Sequence, residues 1–384
     1  MKEKKFQSQR VYTISFAHFI HDVFSSFLAP LLPLIIEKLG ISLSMVALLD
    51  IVRRVPSLFN PVLGLVAERR DVKYLVTFMP LITALSMSFI GVAPTYSALV
   101  ILLFVSGISS ALFHIPSPTM IKDASADEVG KGMSHYMVGG ELARTVGPLL
   151  VTYAVSLWGL EGVYNLLPLA FLSSFILYTK IAKVKTDFHP KERVKGDVKA
   201  LLVKYRAFFA LLAGFILFQA VLRSSLTLYL PVYLVDDGAT VAYAGISLAV
   251  LQFFGVLGVF LSGKISDKIG RGNTLMITSV GAVFFMALFI HNHSLLFLSF
   301  LGFFLFSATP VLMALVQDTN SSMPTFMNSI YMAINFGVGS LAVFSLGYMG
   351  DIVGLQETFF IANVIASGTI VMAFIISKYR EKLL

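Results

Sequence analysis

Ser15-Phe16-Ala17-His18-Phe19-Ile20-His21-Asp22-Val23-Phe24-Ser25-Ser26 lies in the middle of an apolar run from Val11 to Ile36. About 20 apolar residues suffice to cross a bilayer as a helix, so this run is of spanning length. Lipid alone does not retain two histidines and an aspartate. A charge at the centre of a spanning helix costs about 2.5 to 3.5 kcal/mol, and such residues face a protein interior or a water-filled path. His18, Asp22, Ser25 and Ala29 are spaced four, three and four apart and share one polar or small face. Phe16, Ile20, Phe24 and Phe27 form the opposite face, suited to apolar neighbours. The pattern is that of a protein that moves something through a membrane.

The rest of the chain agrees. With 57% hydrophobic and 13% charged residues and a mean hydropathy of +0.84, it reads as an all-α integral membrane protein. There is no cysteine, which excludes disulfides, thiolate metal sites and cysteine nucleophiles. No cofactor and no metal site are expected. Met1 to Arg10 looks like the start of a signal peptide, but the following run is too long and lacks a cleavage site, so it reads as a retained first helix.

Apolar runs of spanning length fall at 11–36, 44–66, 73–92, 96–118, 132–157, 162–182, 207–234, 242–263, 274–291, 294–316, 326–347 and 357–377. Twelve transmembrane helices follow. With the N-terminus inside, 24 of the 29 basic residues fall in cytoplasmic segments, and the outer loops hold only Lys38. This positive-inside pattern places both termini in the cytoplasm of a multi-pass inner-membrane protein. The net charge of +8 is thus topology, not a sign of a nucleic-acid partner.

A polar stretch, Lys183 to Arg206, follows the sixth helix. It divides the chain into a bundle over 1–182, a linker over 183–206 and a bundle over 207–384. Matching residues recur at an offset of 199: Gly64, Glu68 and Arg69 with Gly263, Asp267 and Lys268; Gly140, Leu142 and Ala143 with Gly339, Leu341 and Ala342; Ser25-Ser26 with Ser224-Ser225. One offset shared by several helices points to two pseudo-symmetric six-helix bundles, a transporter architecture.

Gly263-Lys-Ile-Ser-Asp267-Lys268-Ile-Gly270-Arg271 resembles the loop signature of the major facilitator superfamily. The first-half copy, Gly64-Leu-Val-Ala-Glu68-Arg69-Arg70-Asp71, departs from it by Glu for Asp and lacks the second glycine. His18-Phe-Ile-His21-Asp22 with Pro30 and Pro33, and Phe113-His114-Ile-Pro116, resemble the fosmidomycin-resistance branch of bacterial drug exporters; His21 stands where that pattern has Asn. Gly139-Gly140-Glu141-Leu-Ala-Arg144-Thr-Val-Gly147-Pro148 resembles the fifth-helix motif of drug:proton antiporters, with a charged pair inserted. The resemblance implies a path between the bundles, alternating access, and gating roles for Glu68, Arg69, Asp267 and Lys268. Each gating acid would cap a helix of the opposite half, where the dipole favours an anion.

The proton-coupling candidates are Asp22, His18, His21 and Glu141, because buried carboxylates beside imidazoles can exchange protons near neutral pH. A structural hydrogen-bonded cluster is the competing reading. Asp50, Arg53, Arg54 and Ser57 recur at i, i+3, i+4 and i+7, so Asp50 neutralises one arginine and leaves the other for an anion. Arg144 has Glu141 three residues before it, while Arg223 has no acid near it in its helix and must reach across helices or bind an anion. His114, Asn335, Gln219 and Gln252 complete the substrate candidates; for the amides the alternative is interhelical bonding, and for His114 a carbonyl released by Pro116 or Pro118. His189, His291 and His293 are expected in solvated loops.

The expected activity is proton-coupled efflux of a small polar or anionic organic compound by a monomer. The alternatives are an uptake symporter or a uniporter for an organic anion. A membrane enzyme fits less well, since no His-Glu-x-x-His, Gly-x-Ser-x-Gly or dinucleotide glycine fingerprint is present. A channel normally shows symmetric rings, and the charges here are unequal between halves.

Overall fold

The computed structural model describes residues 6–59, 73–126, 128–181, 198–319, 321 and 324–383, and every regular element among them is a helix. The opening run is two helices rather than one, α1 (Ser8–Ser25) and α2 (Leu28–Leu39). Pro30 and Pro33 have no N–H, so the bonds to the Ser26 and Ala29 carbonyls cannot form. The chain tightens there, with the Phe27 N–H bonded to the Phe24 carbonyl at 3.1 Å. Ala29 therefore belongs to a separate helix from His18, Asp22 and Ser25.

Next come α3 (Leu43–Arg54) with the 3-10 turn Val55–Phe59, α4 (Lys73–Ser88), α5 (Tyr96–His114) and α6 (Pro116–Ser125). Pro116 ends the ladder of α5 and starts α6, the position where a missing N–H costs nothing. Then follow α7 (Val129–Trp158), α8 (Leu167–Ile181), α9 (Val198–Lys204) and α10 (Arg206–Ser224). The end of α10 lies 199 residues after the end of α1. It passes through a π turn, Ser225–Tyr229, into α11 (Leu230–Asp236), so the helix break recurs at the repeat offset read from sequence.

The chain closes with α12 (Val241–Ile269), α13 (Arg271–Asn292), α14 (Leu295–Gln317), α15 (Pro324–Ala366) and α16 (Gly368–Leu383). Gly354, at φ +81°, interrupts α15 between the eleventh and twelfth apolar runs. Only glycine takes that conformation without strain.

Residue contacts divide the chain into two compact units. One holds Met1–Ile41, Leu48–Lys191 and Ala239–Ala249; the other holds Ser42–Ala47, Glu192–Gly238 and Val250–Leu384. In the first, Val11, Ile14 and Ala17 of α1 pack with Val76, Phe113, Ile121, Tyr136 and Leu177. In the second, Phe208, Phe215, Leu275, Val311, Leu312 and Tyr331 share a core. Helices in lipid associate through close packing, and small residues permit it. Gly139 and Gly147 of α7 do this against α1: a Cβ on either would come within 2.6 Å of a backbone oxygen, of Ser15 or Val23 respectively.

Candidate functional site

Four groups surround the buried Asp22: His18 and His21 from its own helix α1, His114 from the end of α5 and Arg144 from α7. His21 Nδ1 lies 2.8 Å from Asp22 Oδ1. Its ring stacks on Phe113 with centroids 4.6 Å apart, and its Nε2 is buried without a hydrogen-bond partner. That arrangement suits a neutral ring donating from Nδ1, because a second N–H would be stranded. His21 thus orients the carboxylate.

His18 is bonded the other way round. Its Nδ1 is 2.8 Å from the Tyr136 carbonyl and its Nε2 is 3.4 Å from Asp22 Oδ2. A carbonyl only accepts, so Nδ1 carries the hydrogen. The neutral ring then aims the Nε2 lone pair at a carboxylate oxygen. Two acceptors face one another, and a proton or another cation reconciles them.

His114, at the end of α5, places Nε2 3.4 Å from Asp22 Oδ1 and is half-exposed. Arg144 Nη2 lies 3.9 Å from Asp22 Oδ2, while Nη1 donates to both Glu141 oxygens at 3.1 and 3.3 Å. Two acids thus share one guanidinium, across one turn of α7 and across to α1. His18, Asp22 and His114 offer three ligand atoms within 4.8 Å of one another, a set among the described residues that could hold a metal ion.

Asp50 corrects the expectation for α3. Rather than leaving one arginine over, it engages both, through Oδ1 to Arg53 Nη2 at 3.1 Å and through Oδ2 to Arg54 Nε at 2.7 Å. Positions i+3 and i+4 share its face, and a carboxylate has two oxygens. Arg53 Nη1 also donates to the Ser25 carbonyl at 2.9 Å, tying α3 to the end of α1.

In the second unit Arg223 lies over the Phe306 ring, 5.0 Å from its centroid, and donates to Thr309 Oγ1 at 3.3 Å. Gln219 donates to the Leu305 carbonyl at 3.2 Å, and Asn335 to the Tyr331 carbonyl one turn back at 2.9 Å. Both amides bond to backbone; Gln252 is half-buried on α12.

Asp267 pairs with Arg271, which also reaches Asp318 at 3.3 Å. The acid expected to gate this half is therefore held by the corner between α12 and α13. Lys268 follows it in the last turn of α12. Glu68 and Arg69 lie outside the described residues, as does His189. His293 departs from the solvated expectation: it joins Asp237 at 2.9 Å and the Tyr233 hydroxyl at 2.7 Å.

Sequence reasoning missed Tyr136, Phe113 and Ser117. Tyr136 stacks on His18 at 4.0 Å between centroids, and its hydroxyl meets Ser117 Oγ at 2.7 Å. Its signal was its place one turn before Gly140, on the face of α7 that meets α1.

The family model of the Major Facilitator Superfamily matches residues 14–343. The chain belongs to the major facilitator superfamily. It is a multi-pass membrane transporter and not an enzyme. The transporter is 22% identical over 350 residues to the fosmidomycin resistance protein of Escherichia coli, covering 88% of this chain and 85% of that one. It is 22% identical over 279 residues to the multi-drug resistance efflux pump PmrA of Streptococcus pneumoniae, with 70% and 69% covered. Its fold matches a bacterial homolog of the human lysosomal transporter Spinster, solved in an inward-facing and occupied conformation, at a TM-score of 0.79, 14% identity and 98% of each chain. That likeness establishes the twelve-helix architecture for the transporter.

Proposed function

We propose that the transporter exports a small polar organic compound, anionic or zwitterionic, across the inner membrane in exchange for protons, by alternating access. The observation that carries this reading is the Asp22 carboxylate, flanked by His18 and His114 at 3.4 Å and by Arg144 at 3.9 Å. A proton on Asp22 or His18 removes the facing lone pairs, and so does a donor group of a substrate. The two compete for one place, and competition is what exchange requires. Arg144 and the Asp50 arginine pair of the first unit supply the positive field for an acidic group, and Arg223 is a further cation proposed for substrate in the second unit. The names of the two sequence relatives, a resistance protein and a resistance efflux pump, favour the outward direction.

Arg144 favours a second reading. An anion that draws Arg144 away from Asp22 leaves that carboxylate readier to take a proton, so anion and proton would bind together. That is uptake symport. The division of the chain into bundles over 1–182 and 207–384 joined by 183–206, and action as a monomer, complete the proposal.

Exchange tests the reading. In proteoliposomes Asp22→Asn is expected to keep tracer exchange of the compound and to lose accumulation driven by a pH gradient. Gradient-driven accumulation retained at wild-type level in Asp22→Asn would remove Asp22 from coupling.

A further inference from the structure

The facing lone pairs at His18 and Asp22 admit a larger cation than a proton. An imidazolium–carboxylate hydrogen bond spans about 2.7 to 2.9 Å. Here both His18 Nε2 and His114 Nε2 stand 3.4 Å from Asp22, each on a different oxygen. Zinc bound tetrahedrally at about 2.0 to 2.1 Å from nitrogen and oxygen separates its ligand atoms by about 3.3 to 3.4 Å.

The surroundings are those of a ligand set. A metal-bound histidine donates its other N–H to a carbonyl or carboxylate, and a ligating carboxylate is itself hydrogen-bonded. His18 has its Nδ1 on the Tyr136 carbonyl, and Asp22 takes a hydrogen bond from His21. His18 and Asp22 are both more than nine-tenths buried, and the three ligand atoms lie within 4.8 Å of one another. Half-exposed His114, at a helix end before Pro116, is the ligand with room to shift so that both imidazoles meet one ion on the carboxylate. Around the site Asp22 and Glu141 carry two negative charges against the one of Arg144, so a divalent cation is not repelled.

We propose that His18, Asp22 and His114 bind one divalent cation of the zinc and cobalt class, with a fourth position open beside His114. This departs from the sequence expectation of no metal site. The binding stands on the ligand geometry alone. Its consequence, that a bound ion excludes the coupling proton and stops transport, rests on the exchange reading above.

The test uses the full chain, purified without a polyhistidine tag, titrated with Co2+ and followed by visible absorption and by calorimetry. One tetrahedral cobalt per chain is expected. Binding should weaken at least tenfold in His114→Ala and in Asp22→Asn, and stay unchanged in His291→Ala, which alters an exposed histidine. His114→Cys supplies the only thiol in a chain without cysteine, so a sulfur-to-cobalt charge-transfer band there would put position 114 on the metal whatever the other variants do. Absence of cobalt binding in the wild type, or the same binding in all variants with no charge-transfer band in His114→Cys, overturns the proposal. Zn2+ that binds as expected yet leaves transport unchanged overturns the exchange consequence and leaves the site standing.

Discussion

Gly140 of α7 lies against the imidazole of His18, so close that a methyl group built on it would come within 2.3 Å of the ring's Cε1. At the repeat position in the second half, Gly339, a methyl group would meet no atom of the described residues within 4 Å. The two glycines match in sequence and differ in what they make possible. Only the first lets a buried histidine stand beside Asp22.

Gly140→Ala is therefore expected to push His18 off Asp22, with at least tenfold loss of coupled transport and a stability cost of about 1 to 3 kcal/mol from overpacking. Gly339→Ala should leave both near wild type. Transport rates with thermal unfolding in detergent check the pair; equal behaviour of the two variants contradicts the role given to Gly140.

Asp50→Asn leaves Arg53 and Arg54 without the buried carboxylate they share. The cost expected is about 2 to 4 kcal/mol, below the full value for a buried pair because Arg54 is half-exposed. Adding Arg54→Gln removes the surplus charge and should restore part of the loss, read as a rise in melting temperature over the single variant.

Arg223→Gln is expected to raise KM for an anionic substrate at least tenfold while the unfolding temperature stays within a few degrees. Arg223→Lys should recover only part, because it keeps the charge and loses the flat contact with Phe306. Concentration series of tracer uptake into everted vesicles give KM for both variants, and thermal unfolding in detergent gives the temperature.

Tyr136 serves His18 through its carbonyl, so Tyr136→Phe should change transport by less than about threefold, since it removes only the hydroxyl contacts to Ser117 and His114. A loss as large as that of Asp22→Asn would move the hydroxyl into the coupling path.

These residues also show what could be read from sequence. His18, Asp22, Glu141 and Arg144 were legible because ionisable groups in apolar runs are conspicuous, and helical spacing settles which of them share a face. The recurrence of the break after Ser25 and Ser224 was foreshadowed by the 199-residue offset. The carbonyl of Tyr136 was not legible, because every residue has one and only packing selects it. Asp50 was misread for a related reason: spacing allowed either arginine, and the bidentate carboxylate took both. The pairing of Asp267 with Arg271, four residues on, was open to helical spacing and went unread beside the resemblance to a gating motif.

The most direct test of proton exchange is the sign of proton movement when substrate is added. Proteoliposomes holding the transporter and a trapped pH dye, challenged from outside with phosphonates, carboxylates and zwitterions, report it. Exchange predicts protons moving opposite to an inward-moving compound, so that the lumen turns alkaline, and predicts no response in Asp22→Asn. A lumen that acidifies with the compound would contradict exchange and establish the symport reading; tracer flux with no proton movement would contradict coupling altogether.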